Sequence, residues 1–147
     1  MKNKLSKDLS ISRWLITIPT LFYGIVPPIV DFTETHVFHP DWTAHSRLHM
    51  VWLLVTNSAL ALLSIYLMWF RVREPRFNIS VAGLIGVCIF IGFLIAAGSS
   101  SLYGGSLSDS GGVPPIGGID SNVLAFIPSF FMVAIGLLWL LKSKDIS

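Results

Sequence analysis

Apolar residues in this chain do not alternate with polar ones; they gather into four long blocks separated by polar stretches. The blocks cover residues 14–30, 46–70, 79–98 and 123–141. Each is close to the roughly 20 mostly apolar residues that a helix needs to cross the hydrocarbon core of a bilayer. Lipid cannot satisfy exposed backbone N–H and C=O groups, so each block is predicted to be helical. The pattern therefore predicts an all-α polytopic membrane protein: a four-transmembrane-helix bundle, one domain over residues 1–147, with loops 31–45 and 99–122 on one side. Pro19, Pro27 and Pro28 interrupt the first block, and the Pro27–Pro28 pair is expected to break its helix and turn the chain into the first loop. That block is longer than a signal-peptide core and ends in Pro-Pro-Ile-Val-Asp without a small-x-small cleavage pattern, so it is read as retained.

Composition agrees with the pattern. Hydrophobic residues make up 53% of the 147 positions and charged residues only 12%, against roughly 25% charged in an ordinary soluble domain. That excludes a typical soluble domain, a disordered chain and a nucleic-acid-binding module. The single cysteine, Cys88, excludes an internal disulfide, a CxxC pair and a Cys-rich zinc site. The net charge of +2 gains meaning from its distribution. Lys2, Lys4, Lys7 and Arg13 precede the first block, Arg71, Arg73 and Arg76 lie between the second and third, and Lys142 and Lys144 follow the fourth. An even number of spans puts all of them on one side, with Arg47 alone on the other. The positive-inside rule makes the basic side cytoplasmic, so both termini are predicted to be cytoplasmic. A bacterial inner (plasma) membrane fits this bias, and the two loops would face outward.

The chemistry-bearing residues fall on the opposite side. All four histidines lie within DFTETHVFHPDWTAHSRLH, interleaved with carboxylates. Histidine and carboxylate together form the ligand set of zinc, copper or non-haem iron. His45 and His49, four residues apart at a helix start, project from one face; Trp52 and Thr56 continue that stripe, and Arg47 points away from it. Asp41 or Thr43 can cap this helix. The expected metal ligands are His36, His45, His49 and Asp31. His39, Asp120 and Asn122 are reserves, and Glu34 and Asp41 are second partners that orient the histidines. Interfacial hydrogen bonding, or a pH-sensitive cluster, is the plainer account of the same residues. Haem is disfavoured, because three of the four helices carry no histidine.

Within the blocks, Thr56, Asn57 and Ser58 either hydrogen-bond across the bundle or, with Trp52, line a pocket below the histidines. No ionisable residue lies at the midplane, which argues against an ion-coupled transporter. Ala82 and Gly86 form a small-x-x-x-small pair suited to close helix contact. Phe126, Phe130, Phe131 and Trp139 read as core or lipid contacts, and Trp14 and Trp69 as interfacial anchors. Loop 99–122, rich in Gly, Ser and Pro, is either a flexible connector or a lid over the first loop. Leu102, Tyr103, Val113 and Ile116 are available to tuck it back onto the bundle.

The histidine segment resembles the membrane metal site of the C subunit of the particulate methane and ammonia monooxygenases. In that family an aspartate and two histidines thirteen positions apart hold the metal; here His36 and His49 have that separation and Asp31 precedes the first. The likeness covers about 20 of the 147 residues. It departs in placing Asp31 five rather than four residues before His36, and the local text DWTAH would select His45 instead of His49. What it implies is metal chemistry at a membrane interface. More broadly the chain looks like the small uncharacterised four-helix membrane protein families, a resemblance that implies no reaction. The glutathione-using eicosanoid enzymes, the vitamin K reductase type and the sterol-isomerase-like bundles each require a residue that is missing here.

The resulting expectation is a membrane enzyme dependent on a divalent metal ion (copper, zinc or iron), acting on a small hydrophobic substrate that arrives from the bilayer. The alternatives are a non-catalytic membrane subunit or ligand-binding module, which would work within a homo-oligomer or larger membrane complex, and a metal carrier.

Overall fold

The computed structural model describes residues 2–109 and 111–143, with side chains from Lys7 onward; Lys2, Lys4 and Lys144 lie outside the described side chains. Four long helices account for most of it. Helix α1 is Lys2–Asp31, α2 is Ala44–Ile65, α3 is Pro75–Gly98 and α4 is Ser121–Lys142. Helix α2 continues into one π-helical turn, Tyr66–Phe70, closed by a hydrogen bond from Arg71 N–H to the Tyr66 carbonyl at 3.1 Å. All four are long and apolar enough to cross a membrane. Among the described residues there is no strand, only an isolated bridge between Ile116 and Ile119.

The helix ends follow local chemistry. Thr43 Oγ1 accepts from Ser46 N–H and caps α2, and Asp120 Oδ1 accepts from Asn122 N–H and caps α4. Pro75 opens α3, where its missing N–H costs nothing. The carbonyls at the end of α4 are satisfied from another helix: Arg76, on the first turn of α3, donates to the Leu140 carbonyl at 2.8 Å and to Ser143. Asn78, fully buried, holds the α2–α3 turn by donating to the carbonyls of Arg71 and Arg73.

One expectation is corrected here. Pro27 and Pro28 do not break α1, which runs through both to Asp31. Pro28 cannot donate to the Gly24 carbonyl one turn earlier. Ser58 Oγ of α2 donates to that oxygen instead, at 2.9 Å. A freed backbone acceptor re-satisfied by a neighbouring helix is the circumstance in which a membrane helix tolerates proline.

Helix α1 packs against all three others, α2 and α4 most extensively, and α3 packs along α4. One core cluster joins Ile16, Met68, Ile79, Ala82 and Leu140; a second, nearer the middle, joins Tyr23, Ala61, Phe90 and Val133. Helices α1 and α2 touch so closely at Gly24 that a Cβ there would lie 2.3 Å from Ala61 Cβ. The start of α1, the α2–α3 turn and the end of α4 meet at one end of the bundle. There the Arg13 guanidinium lies 5.0 Å from the centroid of Trp69, Trp14 meets Trp69 edge to face, and Trp139 Nε1 donates to Asp8. Lys7, Arg13, Arg71, Arg73, Arg76 and Lys142 thus share a basic end, and the two long loops share the opposite, histidine end. Large apolar side chains such as Ile29, Leu62, Phe131 and Leu141 remain exposed around the bundle, a surface compatible with bilayer contact.

Candidate functional site

A cavity of about 690 Å³ opens among all four helices toward the histidine end. Its walls are apolar: Phe22 and Val26 of α1, Leu53 and Leu54 of α2, Phe93 of α3 and Phe126 of α4. Phe126 fixes one wall by stacking on Phe93, with ring centroids 3.9 Å apart, and by meeting Phe22 edge-on at 5.3 Å. Gly92 and Cys88 leave the α3 wall low. On α2 the wall is Met50, Leu53, Leu54 and Asn57, a helical stripe at intervals of three and four residues. Asn57 is the polar group farthest from the loops. No hydrogen bond from its side chain occurs among the described residues, and it lies about 10 Å along the helix from Met50 at 1.5 Å per residue.

Above this cavity a second one, of about 600 Å³, lies between the first loop and the second. The two share Val30, Asp31, His36, Met50, Val113 and Asn122. The second loop forms its cover. Val113 lines both cavities, the Asn122 side chain donates to the Leu107 carbonyl, and Tyr103 OH donates to the Ala96 carbonyl, while Val113 and Tyr103, like Leu102 and Ile116, remain exposed. A Cβ on Gly111 would meet Thr35 Cγ2 at 3.2 Å, so the loops touch. Gly117 and Gly118 both take positive φ, the requirement of a tight turn, and let Ile116 and Ile119 exchange backbone hydrogen bonds.

His36 sits where the cavities meet. Its Nδ1 lies 2.9 Å from Thr35 Oγ1 and 3.9 Å from Asp31 Oδ1, the latter too long for a hydrogen bond but close enough for charge attraction whenever the ring is protonated. Thr35 Oγ1 is 2.9 Å from Thr33 Oγ1, which donates to the Val30 carbonyl. His39 faces only the second cavity. Its Nδ1 accepts from Asp41 N–H, which leaves the neutral ring with its proton on Nε2. Arg47 points toward the first loop and donates to the His39 carbonyl at 2.9 Å. Trp42 contacts the rings of both His36 and His39.

The remaining nominated residues lie elsewhere. His45 and His49 form a pair, their Nε2 atoms 3.0 Å apart, and His49 stacks on Trp52. This pair is exposed and lines neither cavity. The structure thus brings Asp31 to His36 and His45 to His49, without merging the two pairs. Trp52 and Thr56 correct the expected pocket: both are exposed, Trp52 by 65%, because the His45–Thr56 stripe turns away from the bundle. Asn57, one residue on, does line the cavity. Asp120 serves as a helix cap, and Asn122 joins the Asp31–His36 site. Glu34 and Asp41 are exposed, and no ion pair links them to a histidine among the described residues. Among the described residues no three His, Cys, Asp or Glu side chains gather into a metal-binding group.

Thr33, Thr35, Cys88 and Gly92 were not nominated from sequence. The Thr-Glu-Thr spacing before His36 was the one available signal for the hydroxyl chain. Comparison with protein-family models, characterised proteins and solved structures finds no match to this chain. The class of protein defined by fold and site is a bundle of four helices fit to cross a membrane, enclosing an apolar cavity with a polar mouth.

Proposed function

We propose that this chain is an integral membrane protein that takes a small, mostly apolar molecule from the bilayer into the cavity between its helices and holds its polar end at Asp31, His36 and Asn122. The supporting observation is the cavity of about 690 Å³, walled by all four helices and polar chiefly at its mouth. It falls within the range of about 300–1,000 Å³ that holds drug-sized ligands. A carboxylate beside an imidazole at such a mouth also suits a general base, so the molecule can be a substrate as well as a cargo. The basic end lies in the cytoplasm, by the charge bias, and the histidine end faces outward, in a bacterial inner membrane.

The test is to fill the cavity. A Cβ on Gly92 meets nothing within 4 Å, so Gly92→Phe places a ring in open space. Native mass spectrometry of the parent should show a bound molecule on the order of a few hundred daltons, lost in Gly92→Phe at unchanged helix content. An empty parent, with Cys88 alkylated equally fast in both proteins, would refute the reading.

A second reading, a divalent ion held by His45 and His49, is favoured by their convergent Nε2 atoms. Their separation of 3.0 Å is near the roughly 3.3 Å that two nitrogens about 2.0–2.1 Å from one tetrahedral zinc would have. The remaining ligands would have to come from outside this pair. On this reading, stoichiometric zinc, copper or iron measured by elemental mass spectrometry disappears in His45→Ala/His49→Ala and persists in His36→Gln.

A further inference from the structure

We infer that the molecule held at His36 carries a neutral hydroxyl, an alcohol or a phenol, whose O–H is donated to His36 Nε2. This rests on the cavity reading above and specifies the chemistry of its ligand. It follows from counting protons along the chain that leads to the ring. A hydroxyl has one proton to give. That of Thr33 goes to the Val30 carbonyl, which cannot donate in return. The Thr33–Thr35 hydrogen bond must then be donated by Thr35. Thr35 has no second proton, so its contact with His36 must be donated by Nδ1–H. The Asp31 carboxylate, 3.9 Å from the same nitrogen, favours that proton position as well. The neutral ring therefore keeps its lone pair on Nε2, which has no partner among the described residues.

The neighbouring polar groups at the mouth are partly committed as well. Asn122 gives one of its two amide protons to the Leu107 carbonyl and keeps Oδ1 and the other N–H, and Ser121 donates its hydroxyl to the Pro114 carbonyl. Asp31, when ionised, is an acceptor only. His36 Nε2 and an ionised Asp31 are thus acceptors with one Asn122 N–H beside them, and a hydroxyl, which donates one proton and accepts in return, complements that set. A carboxylate would face Asp31 and be repelled; an ether or hydrocarbon would leave the acceptors dry and unpaired. The donors His39 Nε2–H and Asn57 lie away from this point, one in the second cavity and one at the deep end.

Cys88 makes the test direct, as the one thiol of the chain and part of the cavity wall. The full chain in lipid nanodiscs is alkylated with N-ethylmaleimide in the presence of 4-nonylphenol, its methyl ether, or 4-nonylbenzoate. The phenol should half-protect Cys88 at a concentration about tenfold lower than the ether, and the benzoate should protect least. In His36→Phe the phenol should lose its advantage while the ether protects as before, which also shows that the variant is folded. In ¹⁵N spectra of histidine-labelled parent protein, His36 Nε2 should resonate as an unprotonated ring nitrogen. Equal protection by phenol and ether, or a protonated Nε2 in neutral His36, overturns the inference and leaves the cavity reading standing. No protection by any of the three probes defeats the cavity reading itself.

Discussion

Pro28 withholds a proton from the Gly24 carbonyl, and Ser58 supplies one from another helix. This exchange lets α1 stay helical up to Asp31, and so places Asp31 and His36 at the cavity mouth. The bond has a measurable coupling. Ser58→Ala should cost about 1 kcal/mol, within the range of interhelical hydrogen bonds in membranes. In a Pro28→Ala background, residue 28 regains its N–H and can bond Gly24 directly, so the same Ser58→Ala change should cost less than half as much. Thermal unfolding of the four proteins in detergent completes the cycle; equal costs in both backgrounds would remove Ser58 from the account. At this scale sequence reading was least informative. A proline's effect depends on what replaces its missing donor, and here the replacement stands 34 residues from the Gly24 acceptor.

Helix positions, by contrast, were legible. Block 46–70 became Ala44–Phe70, 79–98 became Pro75–Gly98, and 123–141 became Ser121–Lys142. Only α1 was badly under-read at its start, since its polar opening turns carry no hydropathy signal. Which face of each helix looks inward was not legible. A water-soluble helix marks its buried face by an apolar stripe, but α2 is apolar on nearly every side, and its polar stripe from His45 to Thr56 looks out. The cavity face was instead set by where α1 lets α2 approach. That approach is fixed at Gly24, where a Cβ would stand 2.3 Å from Ala61 Cβ. Gly24→Ala should therefore destabilise the bundle by about 1–3 kcal/mol through overpacking. Ala61→Gly should recover most of the loss, as read by the same unfolding assay. A Gly24→Ala protein as stable as the parent would mean that the two helices are free to separate.

The bundle as a whole is polar at both ends, basic at one and rich in histidine and loop at the other. Its arrangement across a membrane can be tested from either side. In a Cys88→Ala background, Ser108→Cys in the second loop should react with a membrane-impermeant maleimide on intact cells, and Arg73→Cys only after permeabilisation. The reverse pattern would invert the orientation and put the cavity mouth in the cytoplasm. Time enters the same picture through Arg76. Its guanidinium, at the start of α3, closes the end of α4 by binding the Leu140 carbonyl, 64 residues later in the chain. At synthesis rates of about 5–20 residues per second, this side chain leaves the ribosome several seconds before its acceptor exists. The join between α3 and α4 at the basic end therefore forms only after α4 has been made. Until then the Leu140 carbonyl is not there for Arg76 to bind, so the first turn of α3 and the last turn of α4 are joined late.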